Sequence, residues 1–229
     1  MMKNCTISLR NIRKFYGSCE NRIEALKGVS LDLFENELSL LVGPSGCGKS
    51  TLISIICNIL TPDSGSVELL GINLGKLKEN ERSEFCQKNL GIVFQSLFLI
   101  PTLNLIDNVM LPLMISGKNK EEAKEKAFLV LEEVKLEKRQ HSFPTDLSKG
   151  QQQKIAIARA IINDAKIIIL DEPTSALDQD SGHEVMELLK NFAEKKDKTI
   201  FVVTHDARIF SFADRIIRIN DGQIIRGES

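Results

Sequence analysis

At 229 residues, the chain is long enough to bury a full core as one large domain, or as a domain with a subdomain. Its 30 basic and 31 acidic side chains leave a net charge of −1, which implies no overall pull toward nucleic acid. The five cysteines (5, 19, 47, 57 and 86) show no metal-type pairing, and no apolar run reaches the length of a membrane span.

With no signal-peptide pattern, reduced thiols in a cytosolic protein are expected, and any membrane role must come through a partner. Residues 5–9 and 25–34 read as strands, the second alternating through Leu26, Val29, Leu31 and Leu33 with a skipped beat at Gly28-Val29. Between them Phe15-Tyr16-Gly17-Ser18 is expected to close a loop. Tyr16 is the only tyrosine; ahead of the next motif it either stacks on a base or lies half-buried in a strand.

That motif is Gly43-Pro44-Ser45-Gly46-Cys47-Gly48-Lys49-Ser50, which reads G-x-x-x-x-G-K-[ST], the phosphate-binding loop. An apolar run of strand length, Leu38–Val42, precedes it, and residues at helical spacing from Thr51 to Cys57 follow it. Glycines at 43, 46 and 48 let successive N–H groups turn inward around an anion. The following helix adds its positive end, Lys49 adds a full charge, and Ser50 offers a hydroxyl to Mg2+.

Pro62-Asp63-Ser64-Gly65 predicts a turn, followed by strands at 66–70 and 90–94, with a polar helix over 75–88 between them. Gln95 then falls where a strand gives way to a loop. Residues 120–135 read as an amphipathic helix carrying Ala123, Ala127, Val130, Leu131 and Val134 on one face. Composition over 96–145 shifts toward helix, which suggests a helical insertion in an α/β core.

Ser148 and Gln151 have capping-box spacing, opening a helix that continues to Ile162. Gly150 in its first turn suggests that something approaches the backbone closely. The run Ile167–Leu170 has the pattern of a parallel strand covered on both faces, and it ends in Asp171-Glu172. Those carboxylates therefore lie on the ligand-binding edge of an open sheet, where one can face Mg2+ and its neighbour can handle a proton. Ser175-Ala176-Leu177-Asp178 is expected to open a helix running to about Ala193. A strand over 199–203 leads to His205 on the same edge, and 214–219 and 223–226 flank a hairpin turn at Asn220-Asp221-Gly222.

Taken in order, these motifs resemble the ATP-binding subunit of ABC transporters over nearly the whole chain. Phe94-Gln95, Asp107-Asn108-Val109 and Gln151-Gln152-Gln153 resemble the subgroup of lipoprotein-releasing, macrolide-export and cell-division ATPases. The resemblance implies an α/β fold: a P-loop NTPase core with a mainly parallel sheet, an N-terminal antiparallel β subdomain and an inserted helical subdomain. The core would be about 1–95 and 165–229, and the helical subdomain about 96–164. ATP would be bound by Gly43, Pro44, Ser45, Gly46, Cys47, Gly48, Lys49, Ser50 and Thr51, with Tyr16 on the adenine. Mg2+ would be held by Ser50, Gln95 and Asp171. Glu172 would act as general base, with His205, Lys49 and Gln95 around the γ-phosphate.

Ser148, Gly150 and Gln151 would close over the nucleotide of a second subunit, with Asp178 signalling between the two sites. The implied activity is Mg2+-dependent ATP hydrolysis by a homodimer that powers a membrane-spanning permease from the cytoplasmic face, without nucleic acid. The alternative within the same family is a regulatory ATPase that controls an envelope or cell-division partner. Phe98, Leu99 and Ile100 are read either as the groove for the permease's cytoplasmic helix or as ordinary helical-subdomain core. Lys149 departs from the family's usual Gly, and its side chain is expected to point away from the Ser148 and Gly150 contacts.

Overall fold

A computed structural model describes residues 4–18, 21–195 and 197–225. Cys19 and Arg226, named above, lie outside these residues. In chain order the elements are β1 (Cys5–Tyr16), β2 (Ile23–Phe34), β3 (Glu37–Val42), α1 (Lys49–Ile56), β4 (Ser64–Leu69), β5 (Ile72–Asn73), α2 (Glu79–Asn89) and β6 (Leu90–Val93). They continue as α3 (Leu105–Ile115), α4 (Lys120–Glu133), α5 (Lys149–Ile161), β7 (Ile167–Asp171), α6 (Gln179–Lys195), β8 (Thr199–Thr204), β9 (Arg215–Asn220) and β10 (Gln223–Ile225).

Two sheets organise the chain. One is antiparallel and four-stranded, in the order β2-β1-β4-β5. The other has six strands in the order β10-β9-β3-β8-β7-β6, parallel from β9 to β6, with β10 antiparallel at its edge. The expected α/β architecture is therefore present.

The central parallel strands β3, β7 and β8 are buried on both faces, as their largely apolar runs require, whereas β9 keeps Arg215, Ile216, Arg218 and Asn220 exposed. Side chains alternate across them and so feed two separate cores. Leu38, Leu40, Val42, Ile168, Leu170, Ile200 and Val202 face α3, α4, α5 and α6. Leu41, Ile167, Ile169, Phe201 and Val203 face α1 and the antiparallel sheet.

Several boundaries differ from the sequence reading, each for a local reason. Pairing with β2 carries β1 through Phe15 and Tyr16, so these are strand residues rather than a loop. The skipped beat in β2 is a bulge: Ile12 pairs with Val29 and Arg13 with Lys27, leaving Gly28 between them at φ 87°. The polar segment over 75–88 is divided, with a short 3-10 turn at Leu74–Lys76 ahead of α2. The last long helix starts at Gln179, because Asp178 accepts hydrogen bonds from the Ser181 backbone N–H and hydroxyl and so caps it. Among the described residues no helix is long and apolar enough to cross a membrane.

Candidate active site

The chemistry-bearing residues leave the sheet along one edge. In the order β3-β8-β7-β6, neighbouring strands end at the phosphate loop, His205, Asp171-Glu172 and Gln95. Because those four strands run parallel, their carboxyl ends lie side by side. A cavity of about 550 Å3 there is lined by Ser45, Gly46, Gly48, Lys49, Ser50, Thr51, Gln95, Asp171, Glu172 and His205.

The loop itself is built on backbone angles that only glycine accepts freely. Gly48 sits at φ 102° immediately before α1, and Gly46 at φ 78°. Lys49 Nζ donates to the carbonyls of Gly43 and Pro44, both at 2.8 Å, which holds the ammonium at the lip of the loop. Tyr16 lies at the rim, 43 % exposed, with its hydroxyl 3.4 Å from the Thr51 hydroxyl.

Cys47 is 4 % exposed and points under the loop, where a Cβ added to Gly43 would stand 2.8 Å from its sulfur. Alkylation must therefore lift the loop first. N-ethylmaleimide is expected to label Cys47 slowly and to inhibit hydrolysis, with MgATP protecting. Full activity after mass spectrometry confirms the adduct would contradict this placement.

Glu172 is the strained residue of the site, at φ 50°. Its N–H still bonds Val203 O at 2.8 Å, but the left-handed turn swings the side chain out of the ladder and toward β8. There the carboxylate accepts from the Thr204 hydroxyl at 3.3 Å and from the His205 backbone N–H at 3.4 Å. His205 Nδ1 lies 2.6 Å from Glu172 Oε1, so the ring is tethered to the carboxylate.

The loop carrying His205 is fixed from behind. Asp206 accepts from Arg208 and from the Thr174 hydroxyl, and the Arg208 guanidinium is the main cause that brings its pKa down to about 2. Asp171 shifts upward instead, first by burial and then by the neighbouring Glu172, with Lys49 opposing both. An acidic pair with an excess of negative charge favours an added cation. Ser50, Gln95 and Asp171 offer only hard oxygen donors, and all three line the cavity, so the set suits Mg2+ brought in with phosphate.

The second group of expected site residues does not share this cavity. Ser148 caps α5, accepting from Gln151 N–H at 3.3 Å, while the Gln151 side chain accepts from Ser148 N–H at 3.1 Å. Gln151 is thus engaged in the capping box and also accepts from Arg139. The close approach expected at Gly150 comes from α6: an added Cβ would lie 3.0 Å from Ser181 Cβ. Ser181 is the residue that Asp178 caps, so Gly150 and Asp178 meet through one serine. Lys149 lines a different groove of about 500 Å3, together with Phe98, Leu99, Gln95 and Glu172.

The reading of single motifs passed over Thr174, Thr204 and Arg208, which carry no pattern of their own. Their proximity to Asp171-Glu172 and His205 in the sequence was the available signal.

Comparison with known proteins accords with this geometry. A family model described as ABC transporter matches residues 26–175. An ABC transporter ATP-binding protein of Methanocaldococcus jannaschii, itself uncharacterized, is 43% identical over 219 residues, covering 96% of this chain and 97% of its own. The lipoprotein-releasing system ATP-binding protein LolD of Bacteroides fragilis is 37% identical over 219 residues, covering 96% of this chain and all of its own length (100%). The dimeric, post-hydrolysis structure of the ATP-binding cassette MJ0796 bound to ADP and Pi superposes with a TM-score of 0.88 at 40% identity, covering 97% of this chain and 98% of that one. By motif order, fold and full-length similarity, the chain belongs to the ABC transporter family, as an ATP-binding subunit that hydrolyses ATP with Mg2+.

Proposed function

We propose that this chain works as one half of a head-to-tail homodimer whose two ATP sites open and close to drive a membrane-spanning permease. The observation that carries the reading is the convergence of the phosphate loop, Gln95, Asp171, Glu172 and His205 on one cavity. Phosphoryl transfer is mostly positioning and electrostatic stabilisation, which is what such an edge offers.

In this reading the loop amides and Lys49 hold the β- and γ-phosphates, and Tyr16 stacks on the adenine. Ser50, Gln95 and Asp171 hold Mg2+, which when bound neutralises charge on the phosphate oxygens. Glu172 takes the proton of the attacking water, and His205 keeps the carboxylate aimed while facing the γ-phosphate. The Ser148–Gly150 turn lies away from its own chain's cavity, which supports service to the partner's nucleotide, with Asp178 linking the two sites. This reading divides the described residues into a nucleotide-binding core, up to about 95 and from about 165 onward, and a helical subdomain of about 96–164.

The groove beside Phe98 and Leu99 receives the permease's cytoplasmic helix. Phe98 is 68 % exposed there, which supports it as a contact for that helix, while Leu99 lines the groove and also packs on the core. The protein then works in the cytoplasm, on the inner face of the membrane, with no nucleic-acid partner.

Complementation tests the shared site. Lys49→Ala and Ser148→Arg are each expected to abolish hydrolysis alone. Mixed in equal amounts they regenerate one intact composite site per mixed dimer, about a quarter of wild-type activity for random pairing. A mixture as inactive as its components would overturn the head-to-tail arrangement.

A further inference from the structure

Arg159 lies about three turns along α5 from Ser148 and reaches away from its helix. Its Nη1 donates to Phe98 O at 2.7 Å, and its Nη2 donates to Leu97 O. Burial lowers its pKa, so the charge is held partly out of water. A guanidinium committed to two consecutive main-chain carbonyls fixes a piece of backbone.

That piece is the irregular stretch between Gln95 and α3, in which Phe98 takes a left-handed φ of 49°. Its far end is tied by Asn108, which is fully buried on α3. Asn108 accepts from Ile100 N–H at 2.8 Å and donates to the carbonyls of Ile100, Leu103 and Asn104 at 3.0, 2.9 and 3.1 Å. Two side chains thus bond main-chain groups of an irregular segment, Asn104 O also accepting from the Asn108 N–H at the start of α3, and the segment is held as a fixed part. Leu97 is two residues from Gln95, which lines both the phosphate cavity and the Phe98 groove.

We propose that Arg159 is a positioning residue that locks Gln95 to α5. The Mg2+ ligand of one subunit and the Ser148–Gly150 turn it presents to the other then move as one piece. This rests on the Mg2+ role proposed for Gln95. A planar fork can hold two adjacent carbonyls, whereas a lysine ammonium offers a point charge without that geometry.

The test uses the full chain saturated with a non-hydrolysable imido analogue of ATP, with Mg2+ titrated in by calorimetry. Arg159→Lys is expected to weaken Mg2+ binding about tenfold, the scale of losses when a residue supporting a metal ligand is changed. Binding of the analogue without Mg2+ should change by less than about twofold, because the phosphate loop is untouched. In a Gln95→Ala background the same substitution should add less than about twofold, since the ligand it positions is gone. Unchanged Mg2+ affinity in Arg159→Lys, or an equal shift in both backgrounds, would overturn the proposal. Should Gln95→Ala alone leave Mg2+ binding intact, the ligand assignment falls and the lock with it, an outcome that the single variant identifies separately. If Arg159→Lys does not fold, Arg159→Gln, which keeps donors on a shorter stem, is put through the same titration under the same criteria.

Discussion

Replacing Glu172 with Gln is expected to slow ATP hydrolysis by about a thousandfold, within the range general-base catalysis supplies and equal to about 4 kcal/mol of barrier. The amide has the shape of the carboxylate, and its oxygen can still accept from Thr204 and from the His205 backbone. The backbone strain at φ 50° is unchanged, so the fold should tolerate the variant. What disappears is the oxygen able to take a proton. Nucleotide affinity should therefore persist, and the closed MgATP dimer, no longer discharged by hydrolysis, should accumulate. Light scattering of Glu172→Gln at saturating MgATP reads this directly; a species that stays monomeric, even with its membrane subunit, would remove the basis for a shared site.

Gly48→Ala is expected to weaken ATP binding by at least about a hundredfold, or roughly 2.7 kcal/mol. Two costs coincide there. At φ 102° a side chain is strained, and the new Cβ would stand 2.7 Å from Ala25 O and 2.9 Å from Leu26 Cδ2. Ala25 sits at a register shift of β2, between the Lys14–Leu26 and Phe15–Glu24 pairs, and the atom met is a main-chain oxygen, which cannot swing aside as the end of a side chain could. The loop must then leave the conformation that aims its N–H groups inward.

Gly46 provides the control. It too has a positive φ, 78°, but a Cβ added there meets nothing within 4 Å. Only the conformational cost of about 1–2 kcal/mol applies, for a loss nearer tenfold. Titration calorimetry of both variants separates strain from collision; equal losses would refute the steric account of Gly48.

The parts of this site that were legible from the amino acids are those whose meaning is local. The phosphate loop announces itself through three glycines, a lysine and a serine between a strand and a helix. Asp171-Glu172 follows directly from the covered strand before it, and the Ser148–Gln151 box caps the helix it was expected to cap. What escaped depends on neighbours distant in the chain. Phe15 and Tyr16 look like loop until β2 pairs with them. Ala176 and Leu177 look like a helical start until Asp178 is seen to cap Ser181. Arg159 lies in an ordinary amphipathic pattern, and its work on residues 97 and 98 is visible only when α5 packs beside them. The left-handed turn at Glu172, which decides where the base points, has no signature in residue type at all.

The division of the interior into two oily compartments has a consequence for the chemistry. Every second residue of β3, β7 and β8 belongs to the opposite compartment, so a slip of one position would exchange their contents. The same slip would carry a strand's terminal groups about 3.3 Å out of line with those beside it. Packing on both sides thus acts as a ruler: the alignment of metal ligand, base and phosphate cradle is inherited from the fit of residues that never meet the nucleotide.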